Sequence, residues 1–121
     1  MLLSNFKMLI RNVTNKRIIA NNAKVCNNIF TKSVGLMFSR KQNRALILMF
    51  GKEKNISLHM FFVFYPIDVL FLDKNKIVVD KKENFKPFAF HKSGKKAMYA
   101  VELPRGTIKK TKTKIRDKIE L

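Results

Sequence analysis

Cysteine is almost absent from this 121-residue chain, where Cys26 stands alone. One thiol excludes an intramolecular disulfide and a structural zinc site of several cysteines, and it makes a reducing, cytoplasmic setting the expected one. Tryptophan is missing, and four Gly and three Pro leave no Gly/Ser or Pro-rich linker to divide the chain. Long apolar runs are missing as well. The longest, residues 56–72, carries His59, Pro66 and Asp68 and falls short of the roughly 20 residues that a membrane-spanning helix needs. Asn5, Lys7 and Arg11 interrupt the apolar start, so no leader peptide is expected. Scarcest of all are acids, with 8 Asp plus Glu against 26 Lys plus Arg and a net charge of +18.

What is present is enough for a core. The chain is 46% hydrophobic with eleven Phe, and at this length one domain over residues 1–121 is expected. Met8 to Val13 and Ile18 to Ala20 flank a polar interval of hairpin length, residues 14–17. Apolar residues at Phe30, Val34 and Met37 have helical spacing and predict a short helix near residues 28–38. Short β-branched or aromatic runs then follow at 45–50, 57–61, 67–72, 76–79 and 98–103. Val69 to Leu72 lack alternation, which predicts a strand covered on both faces. Ile115, Ile119 and Leu121 predict a last edge strand guarded by Lys and Arg. The sum is a mainly β fold, a jelly-roll-like β-sandwich or flattened barrel with one short helix.

The charge is unevenly placed. Ten basic residues and no acid precede Glu53, and the tail sets Arg105, Lys109, Lys110, Lys112, Lys114, Arg116 and Lys118 against Asp117 and Glu120. Such a surface attracts polyanions, RNA or DNA among them, and anionic membranes. Lys, Asn, Ile and Phe share A/T-rich codons, so nucleotide bias is a competing explanation for the excess of Lys over Arg. It does not account for the missing acids.

Five ordered blocks resemble a known family: Gly35-Leu36-Met37-Phe38, Leu48-Met49-Phe50, His59-Met60, residues 66–73 from Pro66-Ile67-Asp68, and Val101-Glu102-Leu103-Pro104-Arg105-Gly106. Together they are similar to the signature of the domain of unknown function family 192, a set of small bacterial and archaeal proteins, over residues 8–121. The resemblance implies a mainly β, jelly-roll-like sandwich and no particular activity. Many members have Trp-Met-Lys-Asn-Thr where this chain has His59, Met60, Phe61, Phe62 and Val63, so the polar Asn-Thr pair is gone. The Gly-Asp near the family's end is Arg116-Asp117 here.

Asp68 and Glu102 lie inside apolar strands, where desolvation favours the protonated acid and suits it to proton transfer; facing each other, they would form an acid/base pair. The competing reading is that each is solvated at a strand end, accepts backbone N–H bonds, or pairs with Arg40 or Arg44. His59 is a potential base or ligand, but His91 is the only other histidine and no HxH, HxxxH or CxxC spacing exists, so no metal or other cofactor is expected. Met37, Met49 and Met60 have thioethers able to hold Cu(I), yet Met more often fills irregular cores. Cys26 lacks an adjacent base and reads as an inert thiol. Gly94-Lys95-Lys96 lacks the second Gly of a P-loop.

Two binding readings remain. The first is a non-enzymatic sandwich that takes a ligand or partner in a pocket lined by Met37, Met49, His59, Met60, Asp68 and Glu102. The second is a nucleic-acid-associated protein in which Phe85, Phe88 and Phe90 stack bases while Lys86, Lys92, Lys95 and Lys96 meet phosphates. Against it, Pro87 is expected to break a strand platform, and the rings serve equally well as anchors of a loop. A third reading, an enzyme using Asp68 with Glu102 or His59, has no complete catalytic set.

Overall fold

Short strands dominate, as their texture predicts. The computed structural model describes residues 8–26, 45–59 and 65–121, with the side chains of Cys26 and His59 outside that description. Within them run β1 (Met8–Asn12), β2 (Arg17–Cys26), β3 (Leu46–Lys54), β4 (Ser57–His59), β5 (Ile67–Leu72), β6 (Val78–Phe85), β7 (Phe90–Lys92), β8 (Ala97–Pro104), the one-turn helix α1 (Thr107–Lys110) and β9 (Ile119–Glu120). Seven strands form one curled sheet, a half-barrel, in the order β6-β5-β8-β3-β2-β1-β9, while β4 and β7 pair separately. Neighbours are antiparallel except β2 and β3, which run parallel.

Alternation along the strands gives the sheet a core on each face. Leu46, Leu48, Ile67, Val69 and Phe71 join one buried cluster with Leu58 and Phe85. Ile47, Leu70, Leu72, Val101 and Leu103 join the other with Ile10, Ile108 and Ile119. Every residue of β5 is buried, because β6 and β8 flank it and both faces are covered. Each of its large apolar side chains contributes about 1.5–3 kcal/mol by leaving water.

The last strand does more than guard an edge. β9 pairs with β1, and Lys118 also bridges to Ile77 beside β6. Hydrogen bonds from Val78 N to Asp117 O (2.9 Å), Arg116 N to Val78 O (2.8 Å) and Ile119 N to Lys76 O (2.9 Å) extend that joint. The two edges of the curled sheet therefore meet at one end, which leaves little open edge there.

β6 runs to Phe85 instead of stopping at Val79, and its middle is polar because it is an edge strand with solvent beside it. Pro87 interrupts the aromatic run as expected: it sits in the turn between β6 and β7, and β7 pairs with β4 in register Ser57 to Lys92 and His59 to Phe90. The Lys/Thr run after Gly106 holds the unanticipated helix α1. The helix expected near residues 28–38 lies outside the described residues.

Scarcity of glycine has a structural consequence. Lys16, Lys76, Asn84, Phe88, Lys112 and Arg116 all adopt positive φ, a region that costs an L-residue roughly 1–2 kcal/mol. Arg116 has φ 80 where the family resemblance has Gly, so the turn persists without its glycine.

Candidate functional site

Of the six residues expected to line one pocket, the three whose side chains are described, Met49, Asp68 and Glu102, do not converge. Met37 and Met60 lie outside the described residues, as does the His59 side chain. Register settles the two carboxylates: on β8, Leu103 sits beside Asp68, whereas Glu102 sits between Leu46 of β3 and Val69 of β5. Adjacent strand residues point to opposite faces, so Asp68 and Glu102 are on opposite sides of the sheet and form no acid/base pair. Met49, beside Tyr99, belongs with Asp68's face but lies four β8 positions from it.

Asp68 is a strut. It is 1% exposed; Oδ1 accepts from Asn84 N at 2.9 Å, and Oδ2 accepts from Gly106 N and Ile108 N, both at 3.0 Å. The second pair fixes the turn at Gly106, whose φ of 91 is left-handed, and starts α1. Three backbone donors keep this buried charge satisfied and leave no free face for a substrate. Asp117 does similar work: its Oδ2 accepts from Asn12 Nδ2 (2.8 Å) and Lys114 N (2.9 Å). Asn12 in turn holds the first hairpin turn, its Oδ1 accepting from Thr14 N and Asn15 N. Nothing in the spacing of Asn12 and Asp117 announced this link.

Glu102 differs. It is 8% exposed on the face of the first cluster, no described residue donates a hydrogen bond to it, and burial pushes its carboxyl up to about 8. It is therefore a neutral acid at pH 7, held between Leu46 and Val69. Arg40 and Arg44, its expected partners, lie outside the described residues.

The remaining acids are mostly engaged too. Asp73 accepts from Asn75 N and Ile77 N within its own turn, and Glu53 accepts from Lys74 N. Asp80 receives Lys81 N, Gly94 N and the His91 ring, the last at 3.0 Å. Only Glu83 and Glu120 are exposed among all eight acids, the other six being buried or half-buried. The outer surface is thus more one-sidedly cationic than the net charge alone conveys.

The aromatic and basic run divides in two. Phe85, a surface ring in the nucleic-acid reading and an anchor in the competing one, is fully buried and meets the His91 ring edge-on at 6.2 Å, with Phe71 on the same imidazole at 5.3 Å. That packing and the Asp80 bond anchor β7 to the large sheet, a pairing that a separation of 11 positions concealed. Phe88 and Phe90 instead remain 62% and 57% exposed. Ala89 N bonds Lys86 O at 3.1 Å, closing a turn with Pro87 second and Phe88 third at φ 64. Positive φ at the third position is where such turns favour Gly. Lys86, Lys92, Lys95 and Lys96, close to the two rings in sequence, are exposed, and residues 84–101 contain no acid.

Among the described residues no three of His, Cys, Asp and Glu group to hold a metal ion, and no helix is long and apolar enough to cross a membrane. Fold and surface together define a small mainly β protein, a curled sheet with struts inside and cations outside. The family described as Uncharacterized ACR, the domain of unknown function family 192, matches residues 10–121. The chain belongs to that family, whose function is unknown. It is 36% identical over 115 residues to the UPF0127 protein of Thermococcus sibiricus, covering 93% of this chain and 73% of that one. With the UPF0127 protein of Pyrococcus furiosus it shares 37% over 111 residues, covering 90% and 94%. Two solved structures share the fold. One is a proposed transcription regulator from Sinorhizobium meliloti 1021, with TM-score 0.82, 22% identity and coverage of 93% and 89%. The other, a protein of unknown function from Novosphingobium aromaticivorans, has TM-score 0.81, 15% identity and coverage of 93% and 82%.

Proposed function

We propose that this protein is a non-enzymatic, cytoplasmic binding domain whose partner is single-stranded nucleic acid, engaged by the turn that carries Phe88 and by β7. The observation that carries the reading is Phe88. A bulky ring stands 62% exposed on a backbone position suited to Gly, at a conformational cost. A second ring, Phe90, stands close by in sequence, and Lys86, Lys92, Lys95 and Lys96 supply the charge. Stacked rings hold bases of any sequence while ammonium groups meet the backbone, the combination that single-strand binding uses. Asp80 and His91 hold the platform against the sheet.

The test is fluorescence polarisation with labelled single-stranded RNA and duplex DNA across a salt series. Four lysine contacts predict a slope of log affinity on log salt near −3 for a single strand, from about 0.7 per phosphate. Phe88→Gly, which suits the backbone, and Phe90→Ala should each cost about 1–3 kcal/mol of single-strand affinity. Ile18→Ala, an exposed apolar residue on β2, serves as the control. Equal binding by all three variants, or unselective binding that collapses as salt rises, would dispose of the reading.

A further inference from the structure

On the opposite face of β6 from the aromatic turn, two chain segments converge on an open cleft of about 460 Å³. β6 contributes Lys81 and Glu83, and the segment after β8 contributes Ile108, Lys109, Lys112, Thr113 and Lys114. Lys81 lies beside Leu70 in the ladder, and Leu70 and Ile108 share the second cluster, which places the cleft on that side. Four ammonium groups and one carboxylate give its lining a net charge of +3. The carboxylate of Glu83 is tied to Lys81 Nζ at 3.3 Å.

The cationic segment is fixed in place. Thr113 N bonds Ile108 O (3.1 Å), Lys112 N bonds Lys109 O (3.2 Å) and Lys114 N bonds the Asp117 carboxylate (2.9 Å). Asp68 holds the start of the segment through Gly106 and Ile108. Asn12 holds its middle through Thr113 Oγ1 (3.3 Å) and Asp117 (2.8 Å). The two acids that pin the segment, Asp68 and Asp117, are buried. Buried Ile108 and Thr113 form the floor, and the Thr113 hydroxyl is already engaged by Asn12 and Thr111, so it supplies shape and not a donor.

Like charges held around one concavity repel, and a bound anion relieves them. We propose that this cleft binds an oligophosphate, two or more adjacent phosphate groups, free or at the end of a chain. Lysines meet phosphate as mobile point charges, each with three donors. Two adjacent phosphates carry about −3 at pH 7, which matches the lining. A phosphodiester strand brings one charge per nucleotide with a sugar and base between, and does not concentrate three charges in this volume. The site is independent of the aromatic turn.

The experiment is calorimetric titration of the full chain with inorganic triphosphate at physiological salt. Lys109→Gln with Lys112→Gly removes two cleft charges, and glycine suits the φ of 54 at Lys112, so the fold is kept. Lys52→Gln with Lys54→Gln removes two exposed charges on β3, outside the cleft lining. Affinity should fall roughly tenfold or more in the cleft variant and less than about twofold in the control. Equal losses, or no binding to the parent protein, would overturn the proposal. A 5′-triphosphorylated RNA compared with its 5′-hydroxyl counterpart then separates the two sources. Preference for the former that disappears in the cleft variant assigns the chain end, and cleft-dependent binding of free triphosphate alone assigns the free ion.

Discussion

Replacing Glu102 by Gln should make the protein more stable, increasingly so as pH rises. Burial between Leu46 and Val69 raises this carboxyl from the usual 4.5 to about 8. Between those values the unfolded chain has released the proton while the folded chain keeps it. Folded stability is therefore full at low pH and falls by about 1.4 kcal/mol per pH unit as pH rises through the interval. The loss reaches about 3 kcal/mol at pH 7 and a ceiling of roughly 5 kcal/mol near pH 8, set against a typical total of about 5–15 kcal/mol. Gln keeps the shape and does not titrate, so the difference between the two proteins isolates this group from every other titration. Urea unfolding at fixed ionic strength from pH 5 to 9 measures it. The advantage of Glu102→Gln should grow with pH and level off above 8. A difference that stays flat across that range would refute burial as the governing effect.

Asp68→Asn replaces a carboxylate oxygen by a donor among three backbone N–H groups. It should cost about 3 kcal/mol, with hydrogen exchange accelerating first around Gly106 and Ile108. Arg116→Gly should stabilise the fold by about 1 kcal/mol in thermal unfolding, since φ 80 suits Gly. Phe88→Gly should likewise raise the melting temperature while single-strand binding weakens; loss of both would mean that the ring serves the fold. Asp80 is partly buried, which opposes ionisation, but bonds from Gly94, His91 and Lys81 outweigh that and hold its carboxyl below the usual range. Its contribution is present above about pH 4 and lost as pH falls further. The stability gap between the parent protein and Asp80→Asn should therefore close on acidification, and a gap unchanged at pH 2 would contradict this role.

The family and the mainly β class were legible because strand texture and ordered blocks are local properties of the chain. β5 is the plainest example: its apolar run announces burial on both faces, and the structure covers both. β6 was half legible, since an edge strand facing solvent carries Lys81, Lys82, Glu83 and Asn84 and loses the apolar signature. The candidate site was less legible. Apolar surroundings marked Asp68 and Glu102 alike, but one-residue parity in the ladder sent them to opposite faces, one satisfied by three N–H groups and the other neutral. The aromatic run looked uniform, and packing buried Phe85 while leaving Phe88 and Phe90 outside.

Sequence alone determined the excess of positive charge, the lack of cysteine pairs, the strand-rich core and the family, because composition and period-two patterning need no knowledge of which segments meet. Tertiary structure alone decided where the few acids go. Backbone N–H groups left over at turns and helix starts need acceptors, and Asp68, Asp73, Asp80 and Asp117 fold inward to supply them. The lysines, whose long side chains carry a strongly hydrated charge, remain outside. Joining of the two sheet edges then brings residues near position 80 beside those near 112. A cationic cleft exists there only because the sheet curls.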